Sequence, residues 1–81
     1  MEAHRLLDAA PFAADVIRLL KHVLGEAWAS VAPTIAPDKV DDTRLSLAHA
    51  IIARAVSGER DPDKLKAAAL EALRKHPPRT P

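Results

Sequence analysis

The sequence predicts a small all-α protein, a three-helix bundle or a helical hairpin preceded by an N-terminal helix, completed by dimerisation. Three observations carry that prediction. Apolar residues recur at helical spacing in three segments, and no segment alternates with the period of two that a strand requires. Prolines and the second of two glycines mark the bounds of those segments: Pro11, then Pro33 and Pro37, then Gly58 and Pro62, then Pro77 and Pro78. Seventeen of the 81 residues are alanine, the strongest helix former, while the aromatics are Phe12 and Trp28 alone.

The first helix is expected over residues 10–31. Pro11 suits its first turn, where a missing N–H has no helical partner, and Asp8 stands just before it as a cap. At 100° per residue, Phe12, Val16, Ile17, Leu19, Leu20, Val23, Leu24, Ala27, Trp28 and Val31 share one half of the wheel. Asp15, Arg18, Lys21, His22, Gly25, Glu26 and Ala29 share the other, so Gly25 is a solvent-side residue that weakens or bends the helix. The linker 32–37 (APTIAP) is uncharged and holds two prolines, which predicts a stiff, extended connection with Ile35 over the end of the core.

The second helix is expected over residues 39–57, with Asp38, Asp41 and Asp42 at the positive end of its dipole. Leu45, Leu47, Ala48, Ile51, Ile52, Ala55 and Val56 occupy half its wheel, wide enough to serve two neighbours. The turn that follows is the clearest local signal. Gly58 closes one helix in a left-handed conformation, Asp61 caps the next, Pro62 takes its first position, and Asp63 adds a first-turn anion. The third helix is expected over 62–76, with Leu65, Ala68, Ala69, Ala72 and Leu73 facing inward and Leu70 on the opposite side among Asp63, Lys66 and Arg74. Residues 77–81 (PPRTP) form a frayed tail, and the whole chain is one helical domain.

Composition narrows the function classes. With no cysteine, disulfides and thiolate metal sites are excluded. Net charge is +1, residues 1–59 carrying −2 and residues 60–81 carrying +3, so no overall field points to nucleic acid or a membrane surface. The start of the chain does not read as a signal peptide, because Glu2 and Asp8 interrupt it, and no apolar run approaches a bilayer span. The expected location is cytoplasmic.

The polar residues read as structural. No two of His4, His22, His49 and His76 lie three or four apart, so no adjacent-turn metal pair exists. His22 sits on the polar face one turn before Glu26, His49 at the edge of the apolar face of the second helix, and His76 in the last turn of the third. The aspartates cluster at helix starts, Ser30, Ser46 and Ser57 lack a nucleophile motif, and no glycine-rich phosphate loop is present. The chain therefore reads as non-enzymatic, with no catalytic residue, cofactor or metal.

Two binding roles stand beside that reading. The preferred one is protein–protein association, as a homodimer or with a protein partner. Helices one and two each carry a half-wheel of apolar residues, while helix three brings a narrow alanine face to cover them. Ile17, Leu24, Trp28 and the stray Leu70 are the interface residues this implies. The alternative is a small DNA-binding or regulatory module using Lys64, Lys66, Arg74 and Lys75; against it, the turn is long for a helix-turn-helix and that helix offers no Asn or Gln for base edges. A small apolar ligand between the helices would need a cavity.

One pattern extends beyond local physics. Glu26-Ala27-Trp28 leading to Ala32-Pro33, Arg44-Leu45-Ser46-Leu47-Ala48 with Ile51-Ile52, and Arg60-Asp61 followed by Leu65-Lys66-Ala67-Ala68-Ala69-Leu70 resemble a group of short alphaproteobacterial hypothetical proteins. The resemblance covers residues 24–73. It implies a bacterial gene product and brings no activity, cofactor or site residue.

Overall fold

The computed structural model describes residues 11–75. They form three α-helices, α1 (Ala14–Val31), α2 (Val40–Val56) and α3 (Pro62–Lys75), with two short 3-10 turns (Ala32–Thr34 and Pro37–Lys39) between α1 and α2. Among the described residues there is no strand. The protein is a small all-α bundle in which every helix touches the other two and α2 and α3 share the most extensive contact. No described helix is long and apolar enough to cross a membrane.

The core follows the helical periodicity. Leu20, Val23, Leu24 and Ala27 come from α1, Leu47, Ala48, Ile51 and Ala55 from α2, and Leu65 and Ala69 from α3. Four of these ten are alanines. Small side chains let helices approach closely but remove little area from water, at about 25 cal/mol per Å² of apolar surface. The bundle is therefore held by few large residues, and each matters.

At its N-terminal end α1 departs from the sequence expectation. It begins at Ala14, not near residue 10, and Pro11 lies in a bend before it. Ala13, extended at φ −64° and ψ 157°, takes the cap position with no side-chain hydrogen bond. Phe12 packs against the core, and the Arg60 guanidinium lies over its ring at 5.5 Å. That tertiary contact outweighs the preference of proline for a first helical turn. Asp15 supplies the first-turn anion instead. The proposed cap Asp8 lies outside the described residues. The helix continues through the exposed Gly25 without a break.

The linker is not extended throughout. Each of its 3-10 turns carries a proline at its start, where no N–H donor is needed and a φ near −65° fits the helix. Ile35 donates its N–H to the Ala32 carbonyl at 3.1 Å and Lys39 to that of Ala36 at 2.9 Å. Extended backbone survives at Ile35 and Ala36, and Ala36 is held there by the proline that follows it.

The turn between α2 and α3 forms as its residues dictate. Gly58 takes φ 103°. Its N–H reaches the Ala55 carbonyl at 3.0 Å, and the Glu59 N–H reaches that of Arg54 at 3.1 Å. These are the two bonds of a Schellman motif, and they satisfy carbonyls the helix leaves unpaired. Asp61 Oδ1 then accepts the Asp63 N–H at 2.9 Å, capping α3 with Pro62 at its first position. Arg60 fastens the turn by donating to the carbonyls of Ala55 at 2.7 Å and Glu59 at 2.8 Å.

Two faces differ from their predicted composition. On α2 the buried side is Thr43, Leu47, Ala48, Ile51 and Ala55. Val56 is 68% exposed, Leu45 lies outside the core cluster, and Ile52 is only half-buried. On α3, Leu70 does not stand out in solvent. It is half-buried against the core and shares a groove with Ser30 and Val31, because the end of α1 covers that flank. A helix gripped by two neighbours buries more than the face centred on one of them. His76 and the tail 77–81 lie outside the described residues.

Candidate functional site

The four residues predicted to form an interface have different fates. Leu24 is 2% exposed, so α2 and α3 already cover it. Leu70 packs within the chain. Ile17 is half-buried and outside the core cluster. Trp28 is half-buried: it packs against the core and carries the Arg44 guanidinium 4.6 Å above its ring, a cation–π contact.

On α2, residues the sequence places in the apolar stripe are left partly or largely uncovered. On the α2 wheel, Leu45, His49, Ile52 and Val56 lie within a narrow sector roughly 130° round from the middle of the buried face. The neighbouring helices fix which way that sector looks. Ser46, His49, Ala50 and Ala72 line the groove on the α3 side, whereas Arg44 lies over Trp28 on the α1 side. On α1, Ser30 and Val31 border α3 at the groove they share with Leu70, while Trp28 meets Arg44 of α2. The sector of Leu45, Ile52 and Val56 therefore lies opposite the buried face, and its His49 borders the α3 groove.

The polar groups make no comparable constellation. His22 Nε2 stands 3.4 Å from Glu26 Oε1 on an exposed face, the i,i+4 pair its spacing predicts. His49 is exposed, and no cluster of three or more metal-ligating side chains occurs among the described residues. Lys75 Nζ lies 3.1 Å from Glu71 Oε1. Its hydrogen bond and charge hold the Glu71 carboxyl below the usual carboxylate range, with smaller help from Arg74 and Arg54. Of the cations proposed to meet DNA, Lys64 and Arg74 are exposed, Lys66 is half-buried, and Lys75 is engaged by Glu71.

Three hollows among the described residues are open grooves, not enclosed chambers. Beside the groove at His49, of about 380 Å³, lie one of about 300 Å³ at Arg54, Ala68, Glu71, Ala72 and Lys75, and one of about 410 Å³ at Ser30, Val31, Ala67, Leu70, Glu71 and Arg74. None brings convergent polar groups onto an apolar pocket, the arrangement a small-molecule site needs. No protein-family model matches the chain, and no curated protein or solved structure matches it either.

Proposed function

We propose that this is a non-enzymatic, cytoplasmic helical protein that works by protein–protein association, and that its first partner is a second copy of itself. The observation that carries the reading is the apolar surface that α1 and α2 leave open. Ile17, Trp28, Leu45 and Ile52 are only half covered by their own chain, and Val56 is 68% exposed. A thin, alanine-rich core gives the same argument from the energetic side, because chains of this size commonly gain stability by oligomerising. Sedimentation velocity across roughly 1–100 µM, the range in which a small interface associates, is the test. A concentration-dependent dimer is the expected result, and a stable monomer throughout refutes self-association.

Duplex DNA binding through Lys64, Lys66, Arg74 and Lys75 is the weaker reading. The Glu71 carboxylate beside Lys75, with Asp63 in the first turn of α3, places negative charge on the same helix. A salt-titrated duplex-binding assay separates the two, since phosphate contacts weaken steeply with ionic strength.

A further inference from the structure

We propose that residues 11–13 form a strap that opens and closes against the bundle while the helices stay folded. Arg60 latches it, so that the strap and the α2–α3 turn behave as a coupled pair. The inference is independent of self-association.

The strap has little of its own to hold it. Pro11 has no N–H to give, Pro11 and Ala13 are exposed, and among the described residues no hydrogen bond ties the backbone of Pro11 or Phe12. Ala13 is extended and caps α1 without a side-chain bond. It joins the helix through its carbonyl, which accepts the Ile17 N–H at 3.0 Å. That leaves the half-buried Phe12 ring as the anchor, packed on the core with the Arg60 guanidinium over it at 5.5 Å. A segment held by one side chain opens at far lower cost than a helix held by a ladder of hydrogen bonds and several buried residues.

Arg60 holds the turn with the same group. Its Nη1 donates to the Ala55 carbonyl at 2.7 Å and the Glu59 carbonyl at 2.8 Å, just past the end of α2. These charge-assisted bonds fix the guanidinium, so a long side chain that would otherwise wander in solvent offers the ring a cation in a set place. Glu59, the neighbouring acid, accepts the N–H groups of Arg60 and Asp61 at 3.1 and 3.3 Å, which leaves the guanidinium to the carbonyls and the ring. One planar group therefore closes the turn and covers the strap's anchor. Such coupling is reciprocal: loosening the turn frees the ring, and removing the ring loosens the turn. An exposed cation–π contact sets the size of the effect, about two- to fivefold in the opening equilibrium.

Phe12 is the sole phenylalanine, so an isotope-labelled phenylalanine ring reports the strap alone by NMR relaxation dispersion. Native-state amide exchange follows Glu59, whose N–H bonds the Arg54 carbonyl, and Ile51 in the core. Ring exchange is expected under conditions in which the Ile51 N–H stays protected. Arg60→Lys keeps the charge but loses the guanidinium, and should raise the open fraction about two- to fivefold. Phe12→Leu keeps apolar bulk and loses the ring; it should speed Glu59 exchange by a similar factor, beyond any change at Ile51. A purely local role for Phe12 would not move that turn amide. Ring motion seen only with loss of Ile51 protection overturns the strap, and an open fraction unchanged by Arg60→Lys overturns the latch. Glu59 exchange that Phe12→Leu leaves unchanged, or changes only in step with Ile51, overturns the coupling.

Discussion

Thr43 offers the sharpest test of how this small core is balanced. It is fully buried in the first turns of α2, and its Oγ1 meets no hydrogen-bond partner among the described residues. A buried hydroxyl left unpaired forfeits its hydration without recompense, at a cost of about 1–3 kcal/mol. Valine has nearly the same shape, replaces the hydroxyl by a methyl, and has similar helix propensity. Thr43→Val should therefore stabilise the protein by about 1–2 kcal/mol, the lower part of that range, because the unfolded chain also hides some apolar surface. At this size each kcal/mol moves the midpoint by about 4–8 °C, so Tm should rise by roughly 5–15 °C. Circular-dichroism melts at matched concentration, with urea titrations to check two-state behaviour, measure it. Thr43→Ser is the control: it keeps the hydroxyl and loses a buried methyl, and should lower stability by about 1 kcal/mol. A valine variant less stable than the parent, with serine nearly neutral, would refute the reasoning. It would mean that the hydroxyl bonds a carbonyl one turn back, as threonines in helices often do.

Other expectations are local and separable. Asp61→Ala removes the acceptor of the Asp63 N–H and should cost about 1 kcal/mol in a urea titration, with Asp61→Asn recovering most of it. The two glycines should respond in opposite directions, although a Cβ would meet nothing within 4 Å at either. Gly58→Ala forces an L-residue to φ 103° and should destabilise by about 1 kcal/mol, whereas Gly25→Ala, inside α1, should stabilise by about 0.5–1 kcal/mol; equal and same-signed shifts in Tm would contradict this. For Glu71, Lys75→Gln should return the carboxyl pKa upward to the ordinary glutamate range in an NMR titration. Its folded pKa is depressed, so the pair's small stabilising effect is present above the unfolded glutamate pKa and fades as pH falls through the folded value.

The parts of this fold that were legible in the sequence are those decided within a few residues. Gly58, Asp61 and Pro62 specify a helix stop and a helix start by their own backbone preferences, and the turn they make is the one observed. The three helices follow from periodicity for the same reason. What escaped was set by neighbours distant in sequence. Pro11 lost the first turn of α1 because Phe12 is drawn to the core under Arg60, and Leu70 gained cover because the end of α1 crosses its flank. Neither outcome is encoded in the segment where it appears.

The candidate surface shows the same division from another side. A half-wheel of apolar residues on α2 states how much of the helix avoids water, but not how much its own chain can cover. Leu45 and Val56 share a half-wheel with Leu47, Ile51 and Ala55, and only the positions of α1 and α3 separate the covered from the uncovered, with Ile52 packed at the boundary. Thr43 is the converse. A polar residue just beyond the edge of that half-wheel, it is more deeply buried than Val56. Both anomalies amount to a single statement about α2, whose buried face is rotated towards Thr43 and away from Val56. If that rotation is a property of the isolated chain, Thr43→Val stabilises the monomer without changing its association, and Val56→Asp weakens association without lowering the monomer's stability. Coupled changes in the two variants would mean that burial of one face depends on the other, and that α2 takes up its final rotation only in the dimer.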